Sequence, residues 1–221
     1  MKNGLFDKEQ ITDLDARYRQ RDSLPVRKIS HLAGLIPAGP LRCLDIGSGT
    51  GEWLEYLSGD VARECVGVEP GDDGYDFLRR RFLGKKNVVV HHGFLGELSE
   101  TALAGKTFDI ITMLDVLEHS PTPSSMLRTA YGHLREGGLL LCTTPNWYDM
   151  IWSRVVSRNS GHMTFHSSLG WASLVAKSGF YVQEVRTLKF PLVDSEWLAK
   201  HLHPFGMCVL VVAMRTGGGI P

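Results

Sequence analysis

Several common signatures are missing from this chain, and each absence removes a class of function. Cysteine is scarce, with four in 221 residues. Cys43, Cys65, Cys142 and Cys208 stand far apart, form no CxxC pair and show no zinc spacing. Each lies among Leu, Val or Met in a strand-like run, as buried thiols of a reducing compartment would. Charge of one sign is also missing, since Lys plus Arg and Asp plus Glu both total 24. No global field therefore recruits nucleic acid or an anionic membrane. The densest basic run, Arg79-Arg80-Arg81 with Lys85 and Lys86 beyond it, reads as a solvated helix face. Apolar runs such as 209–214 fall far short of the roughly 20 residues a bilayer span needs. The N-terminal MKNGLFDKEQITDLDARYRQRDS is too polar for a secretory signal. The expectation is a soluble, cytoplasmic protein without a membrane span, internal repeat or low-complexity segment.

What remains is a chain with 43% hydrophobic residues, enough for a sizeable core at a length that suits one domain. Short β-branched or Leu-rich runs alternate with amphipathic stretches, the pattern of crossover units building a parallel sheet. Seven strands are expected, at 41–46, 64–69, 87–92, 108–114, 139–144, 180–188 and 207–215. Helical patterns at 52–57, 72–83 and 124–134 lie between them, the last closed by Gly137-Gly138 as a C-cap signal. The connection between the last two strands holds one short helix and permits an antiparallel final pair. One or two helices precede the sheet within 7–36. The fold class is thus α/β, a seven-stranded, mostly parallel sheet with an antiparallel last strand and helices on both faces. It is read as a single domain, with residues 1–38 a helical cap and 39–216 the core. The long connection from Trp147 to Gly161, which carries Tyr148 and Trp152, is expected to line a substrate pocket or join the core.

The most specific segment is LDIGSGTGEW, in which three glycines at alternate positions follow a buried strand and lead into a helix. Glycines there let main chain approach a ligand without a Cβ in the way. A dinucleotide fingerprint needs GxGxxG, and Glu52 stands close behind the loop instead, placing negative charge where pyrophosphate would sit. No Gly-Lys-Ser/Thr follows, so a Walker loop is excluded as well. Glu69 ends the second strand, where a carboxylate can accept hydrogen bonds from both hydroxyls of a ribose, and Pro70 turns the chain out.

With these features in the order acid-GxGxG-acid, and with FDIITMLDVLEH (108–119), LREGGLLLCTTPN (134–146) and GHMTFHSSLGWASLVAKSGF (161–180) behind them, the sequence resembles the class I methyltransferases that use S-adenosylmethionine. Within them it is most similar to the small-molecule branch related to ubiquinone-biosynthesis O-methyltransferases. The resemblance covers roughly 40–215 and implies a Rossmann-like fold with S-adenosyl-L-methionine as cofactor. It assigns Asp45, Gly47, Ser48, Gly49 and Gly51 to the methionine part, Glu69 with Pro70 to the ribose, and Gly93-Phe94 to the adenine. Relatives often carry an acid after the third strand for the adenine amino group, whereas this chain has His91-His92-Gly93-Phe94-Leu95 with Glu97 the nearest acid. Phe94 then serves either as an apolar wall for the base or as packing under the next helix.

Methyl transfer from a sulfonium needs alignment more than functional groups, and a hydroxyl acceptor adds the need for a base. His119, His162 and His166 are the candidates, and Asp115 is expected to touch cofactor or substrate. Asp115, Glu118 and His119 with His162 or His166 also compose a ligand set for a divalent metal. That metal is not the favoured reading, and Glu118 and His119 can instead cap the following helix, as Ser167-Ser168 can cap one over 169–177. The expected acceptor is a small molecule or glycan, methylated at oxygen, with nucleic acid not expected. The alternatives are a catalytically silent module that binds S-adenosylmethionine, an RNA methyltransferase, and a nucleotide-dependent oxidoreductase.

Overall fold

Runs whose side chains are nearly all buried form the interior strands, as a sheet covered on both faces requires. The computed structural model describes residues 8–18, 24–59, 61–147, 161–188 and 208–217. The strands are β1 (Leu41–Ile46), β2 (Ala62–Glu69), β3 (Val88–His92), β4 (Phe108–Leu114), β5 (Leu134–Pro145), β6 (Phe180–Thr187) and β7 (Cys208–Arg215). They form one seven-stranded sheet in the order β3-β2-β1-β4-β5-β7-β6. β1 with β2 and β2 with β3 are parallel, while β7 runs antiparallel to both β5 and β6. The α/β reading with an antiparallel last strand is therefore correct. Both outer strands are less buried, and β6 alternates along its first residues as a strand at a sheet edge does.

The described helices are α1 (Lys8–Tyr18), α2 (Leu24–Ala33), α3 (Glu52–Leu57), α4 (Asp72–Arg81), α5 (Leu95–Ser99), α6 (Pro123–His133) and α7 (Ser168–Lys177), with a single 3-10 turn at Leu117–His119. The short helix expected between β6 and β7 and most of the 147–161 connection, with Tyr148 and Trp152, lie outside the described residues.

The chain divides into two compact units, Leu5–Thr112 and the part from Met113 onward. In the first, α3 packs on β2, α4 on β3 and α1 on α4. Leu44, Leu54, Leu57, Val66 and Leu78 are almost wholly buried there. In the second, α7 packs on β6 and β7, around Trp171, Val175, Leu141 and Leu210. Among the described residues no helix is long and apolar enough to cross a membrane.

One expectation fails at the end of α6. Gly137-Gly138 do not cap it, because the helix stops at His133 and the chain turns directly into β5 with both glycines inside that strand. The exposed carbonyls are met instead by Arg215 of β7, whose Nη1 donates to Tyr131 O at 3.0 Å and Leu134 O at 2.6 Å. A guanidinium at a helix C-terminus satisfies orphan carbonyls and opposes the helix dipole, so no glycine is needed. At its other end α6 starts on Pro123, where the missing N–H costs nothing.

Candidate functional site

In the first unit, β1 ends on Asp45-Ile46 and the chain turns through Gly47 to Gly51 into α3. The turn is fastened to β2 by Gly47 N and Ser48 N, which both donate to Val68 O at 2.8 and 3.1 Å. It is closed on itself by Gly51 N donating to Ser48 O at 2.8 Å and Ser48 Oγ to Asp45 O at 3.0 Å. Gly51 has φ 83°, and a Cβ there would lie 2.6 Å from Leu78 and 2.8 Å from Phe82. Only glycine satisfies both the left-handed backbone and that close approach.

Two buried carboxylates flank the turn, and the parallel register sets both at the carboxyl ends of their strands, where ligands of open α/β sheets bind. Asp45 accepts from the Thr112 hydroxyl at 2.6 Å. Burial pushes its carboxyl up to about 7, against the bonds from Thr112 and Ser48, and the charges of Glu69 and Glu52 add to the rise. Glu69 accepts from Gly49 N through Oε2 and from Gly71 N through Oε1, both at 3.0 Å. Burial raises its pKa too, partly offset by those two N–H bonds. Gly74 of α4 lies so close that a Cβ would sit 3.0–3.1 Å from the Glu69 side chain. Pro70 follows, half-buried.

Gly93 begins where β3 ends, its N–H donating to Glu69 O at 3.1 Å. Phe94 is 48% exposed at the N-cap position of α5. Next to it, His92 stacks on Tyr75 with centroids 4.8 Å apart and reaches Asp72 at 3.3 Å.

A second cluster lies in the unit from Met113 onward. Asp115 adopts φ 56°. This left-handed conformation is uncommon outside glycine and tends to occur at functional sites. It is held by its N–H donating to Thr143 O at 2.8 Å and by the Thr143 hydroxyl donating to its Oδ1 at 3.0 Å. Glu118, fully buried, and His119 follow in the 3-10 turn, and the carbonyl of Glu118 accepts from Met163 N at 2.8 Å and Thr164 N at 3.1 Å. That clasp brings His162 onto His119, with ring centroids 4.9 Å apart in an edge-to-face arrangement. One ligand atom each from Glu118, His119 and His162 fall within 4.8 Å of one another, a donor set of the kind divalent ions accept. Asp115 and His166 are not in it. His166 instead packs edge-on against Trp171, ahead of α7, whose N-cap is Ser167 accepting from Gly170 N at 3.2 Å.

Burial lowers all three histidines, and His162, also repelled by His119, falls to about 4. The expectation that Glu118 and His119 cap α6 fails, since Thr122 occupies that position and the clasp to 163–164 holds Glu118 elsewhere.

Thr112, Thr143 and Arg81 are site residues that no motif or spacing marks in advance. Thr112 is one hydroxyl in the apolar run FDIITML, and an unneeded polar atom in a buried strand is the only available hint. Arg81 belongs to the run read as a solvated face, but it turns inward to Thr50 O at 2.6 Å and Glu52 Oε1 at 2.6 Å, while Arg79 and Arg80 stay exposed.

Residues 16–185 match the family model described as a methyltransferase domain. Over 111 residues the chain is 33% identical to a ubiquinone biosynthesis O-methyltransferase of Ruegeria pomeroyi, covering 50% of this chain and 43% of that protein. The chain spans about half the length of the curated relatives it matches. A methyltransferase of Thermotoga maritima dependent on S-adenosylmethionine shares the fold with a TM-score of 0.70 at 20% identity, covering 95% and 98% of the two chains. So does an N-methyltransferase of Bradyrhizobium japonicum in complex with S-adenosyl-L-homocysteine, with a TM-score of 0.66 at 14% identity, covering 95% and 99%. Glycine turn, paired strand-end carboxylates and the family match over 16–185 agree, and the chain belongs to the methyltransferase domain family.

Proposed function

We propose that this chain acts as one domain that moves the methyl group of S-adenosylmethionine to a hydroxyl oxygen of a small molecule or glycan. The observation that carries the reading is the pair of buried carboxylates, Asp45 and Glu69, flanking a glycine turn too acidic for pyrophosphate. Bound S-adenosylmethionine supplies a methyl carbon on a sulfonium, already activated toward displacement. Asp45 would hold the ammonium of its amino-acid end, and Glu69 the ribose hydroxyls, exchanging its Gly49 and Gly71 bonds for them. Gly93 and Phe94 would border the adenine.

His119 is the base in this reading. Its lowered pKa keeps a nitrogen available to take the hydroxyl proton at neutral pH, while His162, near 4, is too weak. Asp115 would orient the acceptor or donor. Support for an oxygen acceptor comes from the O-methyltransferase among the curated relatives, and the N-methyltransferase neighbour makes nitrogen the competing outcome.

The test is transfer of labelled methyl from S-adenosylmethionine to panels of hydroxyl and amine acceptors. Label on a hydroxyl is expected, with kcat lower by about 10²-fold or more in His119→Gln. Nucleoside binding without turnover on any acceptor would mark a silent module. A chelator arm settles the donor cluster: unchanged turnover is expected, and loss would assign Glu118, His119 and His162 to an ion.

A further inference from the structure

We infer that Arg81 is a positioning residue for the methyl donor, fixing the end of the glycine turn and offsetting the carboxylates beside it. This rests on the donor reading above. The turn has three kinds of fastening. Val68 holds its start and Glu69 holds Gly49. The third comes from α4, where Arg81 Nη1 donates to Thr50 O and Glu52 Oε1, both at 2.6 Å, and Nη2 donates to Glu55. The peptide joining Thr50 to Gly51 is thus pinned at both ends, its carbonyl by Arg81 and its N–H by Ser48 O. Thr50 Oγ1 in turn donates to Glu52, so the carboxylate that Arg81 holds also fixes the turn's side chain.

The charges matter as much as the bonds. Asp15 of α1 lies 3.7 Å from the same guanidinium, so three carboxylates, Asp15, Glu52 and Glu55, surround one cation. Two of them and the guanidinium are largely shielded from water, where a charge pair is screened less than at the surface. The charge on Glu52 extends to Asp45, whose proton it helps retain. Without Arg81, Glu52 and Glu55 would leave the end of the turn with uncompensated negative charge, which would repel the carboxylate of the donor's amino-acid end. The ribose and adenine contacts centre on Glu69 and Gly93, whereas the Arg81 bonds go to Thr50, Glu52 and Glu55. A lysine cannot stand in fully, because the planar fork reaches a carbonyl and two carboxylates at once and an ammonium offers one point charge.

The experiment is calorimetric titration with two ligands, S-adenosylhomocysteine, which carries the amino-acid end, and 5′-methylthioadenosine, which lacks it. Arg81→Gln is expected to weaken S-adenosylhomocysteine about tenfold and 5′-methylthioadenosine by less than about twofold. Arg81→Lys should fall between wild type and Arg81→Gln, and adding Glu52→Gln to Arg81→Gln should recover most of the loss. Equal weakening of both ligands, or no weakening of S-adenosylhomocysteine, would overturn the inference. Should Arg81→Gln fail to fold, Arg81→Lys and the double variant carry the same comparison between the two ligands. If wild type binds neither ligand, the donor reading itself fails and this role goes with it.

Discussion

Asparagine in place of Asp45 removes a charge from a fully buried position while leaving an oxygen to accept the Thr112 hydroxyl. Burial holds the native carboxyl at about 7 against an ordinary value of 3.8. The folded value lies above the unfolded one, so the protonated acid favours folding. That contribution is complete below pH 3.8 and is lost as pH rises to about 7. At 1.36 kcal/mol per unit, the ionised carboxylate costs the ligand-free fold about 4 kcal/mol once pH exceeds 7. The amide of Asp45→Asn puts an N–H where the carboxyl accepted from Ser48, and losing that bond costs about 1–2 kcal/mol. The variant should therefore be less stable than wild type near pH ~4 and more stable, by about 2 kcal/mol, near pH ~8. Urea unfolding across that range measures the crossover. The same variant should bind S-adenosylhomocysteine at least about tenfold more weakly, through loss of the charged partner of its ammonium. A stability difference between variant and wild type that stays constant with pH would refute the reasoning.

Two further outcomes follow from the same geometry. Gly51→Ala should lose about 2–4 kcal/mol in chemical denaturation, since it combines a left-handed φ with overlap on Leu78 and Phe82; a loss under about 1 kcal/mol would mean the turn readily shifts. His162 is lowered by burial to about 4 from 6.5, so its contribution is present above pH 6.5 and disappears as pH falls toward 4. His162→Phe should flatten the melting temperature between pH ~7 and pH ~4.5 by the equivalent of about 1 kcal/mol after solvent screening of a half-buried ring. An unchanged pH slope would place the acid sensitivity elsewhere.

β1, β4 and α3 end where the sequence pattern placed them, because apolar continuity and the glycine turn are local signals. The same holds for Asp45 and Glu69, whose positions at strand ends follow from strand length alone. Burial of all four cysteines was likewise written in their apolar neighbours. Partners distant in sequence were not legible. Arg215 replaces a glycine cap across 81 residues, Thr112 reaches Asp45 across 67, and Arg81 reaches Thr50 across 31. Nor could spacing choose among the histidines. His162 meets His119 only because residues 163 and 164 hydrogen-bond to the Glu118 carbonyl, a contact that periodicity does not encode.

The most direct test of the donor reading is calorimetric titration of S-adenosylhomocysteine into the wild-type chain and into Glu69→Gln. A single site formed by Asp45, the glycine turn and Glu69 predicts one ligand bound per chain. Glu69→Gln, which exchanges a charged acceptor for a neutral amide, should weaken binding by about tenfold or more. No binding to wild type, or equal binding to both proteins, would contradict it.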